Sequence, residues 1–416
     1  MSFWRNWRVR IFLFLAVLGP GFITANVDND SGGILTYSQA GAQFGYTLLW
    51  TMVPITLALI VVQEMCARMG AVTGKGLSDL IREEFGLRMT FIVMILLVLV
   101  NFGNVVTEFI GISLSMQLFH ISRYLSVPVC AVIVWLLVVK GDYKSVEKVF
   151  LLASVFYIAY IVTGVLSSPD WHKAMVETVK LPPLRAWHDK TYLYMTIGVI
   201  GTTITPWMQF YLQASIVDKG VTVKDYKASR LDVIVGSIFS DVVAWFIIVA
   251  CAATLYTHGM HDITDASDAA QAMKPLAGQY AFILFAAGLF NASLFAASIL
   301  PLSTAYTVCE GLGFESGLDK TFKEAPFFYW FYTLLIALGA LVVLVPRLPL
   351  VKVVLFSQVL NGLLLPVIMI FMLRLINKHE LMGKYTNPRW FDVAAWTTAM
   401  VVIGLSLAFV WGLVHG

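Results

Sequence analysis

GPGFITANVDNDSGG at residues 19–33 and GVIGTTITPWMQF at residues 198–210 decide how this chain folds. Each lies inside an apolar run long enough to cross a bilayer, and each interrupts that run with glycine, proline and polar side chains. A helix broken at membrane depth is tolerated only where protein or water satisfies the freed backbone groups. Outward from the two breaks, runs of about 20 apolar residues mark eleven spans: 11–45 (interrupted), 47–68, 89–118, 124–141, 148–166, 193–217 (interrupted), 231–257, 280–308, 326–346, 350–374 and 391–414. The breaks fall in spans one and six. An odd offset makes these two helices run in opposite directions, as in inverted repeats that bind substrate where broken helices meet. The expected organisation is one transmembrane domain over 1–416, with a first repeat at 11–166, a second at 193–374 and an additional helix at 391–414.

Composition agrees. The 416 residues are 59% hydrophobic and only 13% charged, with 28 Phe and 12 Trp, against about 25% charged residues in soluble domains. A mean hydropathy of +0.81 requires an apolar solvent over much of the surface, which excludes a water-soluble protein, a disordered chain and a collagen-like repeat. The net charge of +3 carries no nucleic-acid signal. Cys66, Cys130, Cys251 and Cys309 lie far apart in or beside apolar stretches, without CxxC spacing, and read as small core residues. The opening MSFWRNWRVR and the apolar run after it lack a small-residue cleavage site and read as the first span. A cytoplasmic N-terminus places 20 of the 28 Lys and Arg residues on cytoplasmic segments and seven outside, with Lys352 snorkelling outward. That bias predicts a multi-pass cell-membrane protein with an external C-terminus.

Ionisable groups at membrane depth are costly and need a reason. Asp28 and Asp30 stand at the first break, Glu108 inside span three and Asp241 inside span seven, while the centres of the spans hold no Lys or Arg. Acids without basic partners must be protonated, face water or hold a cation from outside. The reading that follows is a cation pathway. Unwound backbone adds carbonyl oxygens, from Ile204 or a neighbour, and half-helix ends aim their dipoles at the site. Asn26, Asn29, Thr202, Thr203, Thr205, Gln209, Gln358 and Asn361 can add oxygens or hold water. All seven histidines fall in loops or at span ends, so no imidazole relay is expected, and Met208 alone among the methionines lies in the second break. The expected metal residues are Asp30, Thr202, Thr205, Asp241, Asn29, Asp28, Gln358 and Ile204, with Glu108 as a pathway acid. The loop 258–274, with Asp262, Asp265 and Asp268, reads as a solvated turn.

GPGF at 19–22, QAGAQFGYTLLW at 39–50, QEMCARMGAVTGKGLSDL at 63–80, EFIG at 108–111 and SQVL at 357–360 resemble the NRAMP family of divalent metal transporters. The resemblance implies the inverted-repeat fold of LeuT-type transporters and metal uptake by alternating access. That family's DPGN signature on helix 1 falls on Asp30, Ser31, Gly32 and Gly33, so its Asp is kept and its Asn is lost. Its helix 6 motif ATVMPH falls on Thr202 to Trp207, so the thioether ligand becomes Thr205 and the proton-handling His becomes Trp207. One of its two helix 3 acids remains, Glu108, with Val105 at the other position, and Asp241 stands where the family usually has Asn. These departures resemble the NRAMP-related magnesium transporters. They leave an all-oxygen site, which suits Mg²⁺, an ion that keeps several waters.

The expectation is therefore Mg²⁺ and Mn²⁺ uptake by alternating access, not proton-coupled, with the ion largely hydrated. The metal is cargo, no cofactor is expected, and the other partner is the lipid bilayer, with no nucleic acid and no obligatory protein partner. Three alternatives stand beside it: a proton-coupled Mn²⁺ or Fe²⁺ importer, a sodium-coupled amino-acid carrier, and an intramembrane enzyme. The acids at the first break would repel a substrate carboxylate, which counts against the carrier. His379-Glu380 lacks the second His of HExxH, which counts against the enzyme.

Overall fold

The computed structural model describes residues 19–140, 155–263, 268 and 281–415. The described chain is built of helices. In order they are α1 (Pro20–Val27), α2 (Ser31–Phe44), a 3-10 turn at Gly45–Thr51, α3 (Met52–Thr73), α4 (Leu77–Gln117), α5 (Arg123–Val139), α6 (Ile158–Leu166), α7 (Trp171–Val179), α8 (Lys190–Thr203), α9 (Pro206–Asp218), α10 (Tyr226–Thr254), α11 (Ala281–Leu312), α12 (Pro326–Val343), α13 (Leu350–Ile376) and α14 (Arg389–His415). A 3-10 turn at Leu184–His188 lies between α7 and α8, and a single helical turn at His379–Met382 precedes α14. Seven helical stretches among the described residues are long and apolar enough to cross a membrane.

Both interruptions are real. The first apolar run is the pair α1 and α2, separated at Asp28–Asp30, and the sixth is α8 and α9, separated at Ile204–Thr205. The start of the first span with Arg5, Arg8 and Arg10, the loop after Lys140, the beginning of the fifth span and most of the loop 258–274 lie outside the described residues.

Three readings need correction. The third helix begins at Leu77 rather than 89, because Leu77, Leu80 and Ile81 bury an amphipathic first turn that an apolar-run criterion cannot see. It bends at Gly86, whose φ of 81° only glycine adopts readily. The segment between spans five and six contains α7, capped by Asp170, whose side chain accepts the Lys173 N–H. Arg68 is not a loop cation. It is 6% exposed within α3, pairs with Glu64 one turn earlier at 3.1 Å, and donates to the carbonyl oxygens of Tyr385 and Thr386. The buried Glu64 therefore belongs to a structural ion pair.

α10 packs along α1, α2 and α3, while α4 packs along α11 and α13. Between these two groups lie α2, α8 and α9, so both breaks are enclosed by protein on all sides. Trp207, Tyr37, Phe109 and Ile34 are among the fully buried side chains around them.

Candidate functional site

The first break is local chemistry. Asp and Asn offer their own oxygens to nearby N–H groups and so compete with helix continuation. Asp30 leaves the helical region at φ −70° and ψ −171°, and its Oδ1 accepts the Gly33 N–H at 2.8 Å, which caps α2. The second break follows from Pro206, which lacks an N–H and biases the preceding residue to extended backbone. Thr205 accordingly sits at φ −70° and ψ 139°, and Ile204 at φ −122° and ψ 65°. Two helix C-termini, those of α1 and α8, and two N-termini, those of α2 and α9, come together there.

Four neighbours stitch the first break in place. Asn29 Nδ2 donates to the carbonyl oxygen and Oγ of Ser240 at 3.1 and 2.9 Å, which sets it beside Asp241 on α10. The Ser31 N–H and hydroxyl both donate to Glu108 Oε2, at 3.3 and 3.0 Å. Tyr37 Oη and Thr203 Oγ1 share a hydrogen bond of 2.8 Å, joining α2 to the last turn of α8. Gln358 of α13 lies between the two breaks. Its side-chain amide presses on Gly32, where a Cβ would lie 2.1 Å from Nε2, and its backbone oxygen presses on Gly201, where a Cβ would lie 2.1 Å away.

Every expected site residue is buried: Asp28, Asn29, Asp30, Glu108, Thr202, Ile204, Thr205, Asp241 and Gln358 are each 5% exposed or less. Among the described residues no Lys or Arg forms an ion pair with these acids. Many of their oxygens also lack a hydrogen-bond partner: both of Asp28, both of Asp241, Oδ1 of Asn26 and Asn29, Oε1 of Glu108, Oε1 of Gln209, and Oγ1 of Thr202 and Thr205. Buried polar atoms in folded proteins are paired in at least about 90% of cases. A concentration of unpaired acceptors along two helix breaks therefore marks a place for water and a cation.

Gln358 takes a different part from the one expected. Its Oε1 accepts Asn361 Nδ2 at 2.9 Å, Asn361 and Asn104 exchange bonds of 2.9 and 2.8 Å, and Ser357 Oγ donates to Asn104 Oδ1 at 3.0 Å. This network holds the Gln358 oxygen and turns the amide nitrogen toward Gly32 and Asp30. Asn104 was not singled out from sequence, although it stands four residues before Glu108 on one helix face. Ser240 and Tyr37 were missed as well, and only the Ser240-Asp241 adjacency offered a signal. Met208 is fully buried in the hydrophobic core. Among the described residues, no three His, Cys, Asp or Glu side chains gather as a compact metal cluster, so neutral oxygens separate the acids.

The family model for natural resistance-associated macrophage protein-like sequences matches residues 21–412. The chain belongs to the Nramp family. Similar Nramp relatives include a divalent metal cation transporter MntH of Nostoc sp. (strain PCC 7120), 28% identical and covering 99% of this chain and 93% of the relative. A protein of the same name from Deinococcus radiodurans is 26% identical, covering 97% and 91%. Among solved structures, the Eremococcus coleocola manganese transporter in complex with an aromatic bis-isothiourea substituted compound superposes with a TM-score of 0.75, at 23% identity, covering 98% of this chain and 87% of that one. MhsT in complex with L-phenylalanine superposes with a TM-score of 0.63 at 14% identity, covering 95% and 97%. These likenesses carry the fold, which is the expected all-helical, LeuT-like architecture of an Nramp membrane transporter.

Proposed function

We propose that this Nramp chain carries divalent metal cations across the membrane by alternating access, with Mg²⁺ as the preferred cargo and Mn²⁺ as a second substrate. The observation that carries the reading is the row of buried, unpaired oxygens on Asp28, Asn29, Thr202, Thr205 and Asp241, with Asp30 and Glu108 holding the start of α2 beside them. Carboxylate, amide and hydroxyl oxygens suit hard ions, whereas a thioether suits softer ones. Thr205 stands where the family's thioether is expected, and Met208 packs away in the core. Mg²⁺ sheds water reluctantly and is held through one or two carboxylates with several waters kept. Asp30 and Asp241 are the carboxylates we assign to that task, with Thr202, Thr205, Asn29, Asp28 and the Ile204 carbonyl as further ligands of the hydrated ion. Gln358 donates to this shell rather than ligating, and Glu108 positions it.

The reading includes eleven spans, counting each broken pair as one, arranged as a 5+5 inverted repeat with α14 added, and a cytoplasmic N-terminus from the Lys and Arg bias. Trp207 in place of a histidine supports uptake without proton coupling. An inside-negative potential then supplies about 4.6 kcal/mol per 100 mV for a doubly charged ion. The test is uptake into proteoliposomes with such a potential, with Mg²⁺, Mn²⁺ and Ca²⁺ in competition and an internal pH indicator. Mutual competition of Mg²⁺ and Mn²⁺ without acidification is the expected result. The relatives named for manganese and divalent metal transport favour a second reading, a proton-coupled Mn²⁺ or Fe²⁺ importer. Mn²⁺ flux that excess Mg²⁺ leaves unchanged, accompanied by internal acidification, decides for that reading.

A further inference from the structure

Asp241 has a second face. A groove of about 350 Å³ runs between α3 and α10, walled by Val53, Leu57, Ile238, Val242 and Trp245, with Asp241 as the one ionisable side chain lining it. Leu57 is 62% exposed and Ile238 46%, so the mouth opens on a face that meets hydrocarbon. Asp241 itself is 3% exposed, and neither carboxylate oxygen has a hydrogen-bond partner. Thr178 of α7 also lines the groove, and its hydroxyl accepts Trp245 Nε1–H at 2.9 Å, which fixes the indole.

This lining is wrong for the metal cargo, because apolar walls offer no oxygens to replace the water that a small divalent ion surrenders at high cost. It suits a cation that is weakly hydrated and carries its own apolar body. We propose that the groove binds a hydrophobic monovalent organic cation, an alkyl- or arylammonium, with its ammonium on the Asp241 carboxylate and its body against Leu57, Ile238 and Val242. The charge of Asp241 acts at close range in a low dielectric. Trp245 adds an aromatic surface of the kind that recognises quaternary ammonium groups. The groove volume falls within the roughly 300–1,000 Å³ of small-molecule sites, and a hydrophobic cation can reach its mouth through the bilayer. The site shares Asp241 with the proposed metal pathway but does not rest on transport.

The test measures benzyltrimethylammonium binding to the purified full-length protein in metal-free detergent, by saturation-transfer NMR and calorimetry. Neopentylbenzene serves as the neutral isostere, and tetramethylammonium as the charge without the body. The expected result is saturable binding of benzyltrimethylammonium, weaker by on the order of tenfold for tetramethylammonium and absent for neopentylbenzene. Asp241→Asn abolishes it. Leu57→Trp, a change at a lipid-facing position outside the metal machinery, fills the groove and abolishes it while metal uptake continues. Asp30→Ala, which removes metal flux, leaves it intact, so failure of the transport reading and failure of this one are separable. Lack of saturable binding to the folded wild type, equal binding of the neutral isostere, or unchanged affinity in Leu57→Trp overturns the proposal. If Asp241→Asn does not fold, Leu57→Trp decides.

Discussion

The Asp232 carboxylate of α10 accepts the backbone N–H of Gly21 at 2.8 Å, and its other oxygen takes the N–H groups of Gly19 and Phe22 at 2.8 and 3.1 Å. The first half-helix is thus capped by a residue more than two hundred positions away. Gly21 and Gly236 let α1 and α10 meet backbone to backbone, since a Cβ on Gly236 would lie 2.6 Å from the Phe22 Cα. Asp232→Ala leaves three buried N–H groups without an acceptor, at about 1–3 kcal/mol for an unsatisfied buried donor. The expected outcome is a lowered thermal unfolding midpoint in detergent, with Asp232→Asn falling between the variant and wild type. An unchanged midpoint in the alanine variant contradicts the capping role.

Asp30 combines two tasks that one substitution can separate. Asp30→Asn keeps an Oδ1 for the Gly33 N–H, so α2 keeps its cap, but the negative charge is lost. Metal uptake is expected to fall on the order of tenfold or more, since even outer-shell partners of a metal site are worth about 10–100-fold, while the unfolding midpoint stays near wild type. Asp30→Ala is expected to abolish uptake in a folded protein. Normal flux in either variant removes Asp30 from the ligand set.

The hardness argument rests on Thr205. Thr205→Met places a thioether beside the row of oxygens and is expected to raise the ratio of Mn²⁺ to Mg²⁺ uptake, because sulfur favours the softer ion. Competition of the two ions in proteoliposomes reads that ratio directly. A ratio equal to wild type shows that ligand softness at this position does not set selectivity.

Both breaks were legible in the sequence because their causes are local: Asx side chains and adjacent glycines in NDSGG, and proline after threonine in TITP. Glu108 and Asp241 stood out because carboxylates in apolar runs are rare. What stayed hidden depends on distant partners. Asn29 and Ser240 are 211 residues apart and Gly19 and Asp232 are 213 apart, and nothing in one sequence pairs them. Asp232 and Arg68 lay near span ends, where charge is common, so neither signalled its burial. Gln358 was correctly brought to the breaks, but which end of its amide faces them depends on Asn361 and Asn104, and that orientation has no signature in local pattern.

Gly33 tests whether the site has departed from its family or only lost one ligand. It occupies the position of the family's metal-binding Asn. If only the side chain had been lost, Gly33→Asn should restore a ligand and with it Mn²⁺ affinity. The backbone argues otherwise, because a Cβ on Gly33 would lie 2.2 Å from the Asp28 carbonyl oxygen, closer than real Cβ atoms come to backbone. Avoiding that contact requires moving Asp28 or the first turn of α2, which the bonds from Ser31 to Glu108 and from Asn29 to Ser240 hold from both sides. Even Gly33→Ala, which introduces no ligand, is therefore expected to lower the unfolding midpoint and cut uptake of Mg²⁺ and Mn²⁺ alike. Thermal unfolding and paired uptake of the two ions in Gly33→Ala and Gly33→Asn make the comparison. Rescue of Mn²⁺ selectivity in the asparagine variant at wild-type stability would show that the break can return to the family's geometry.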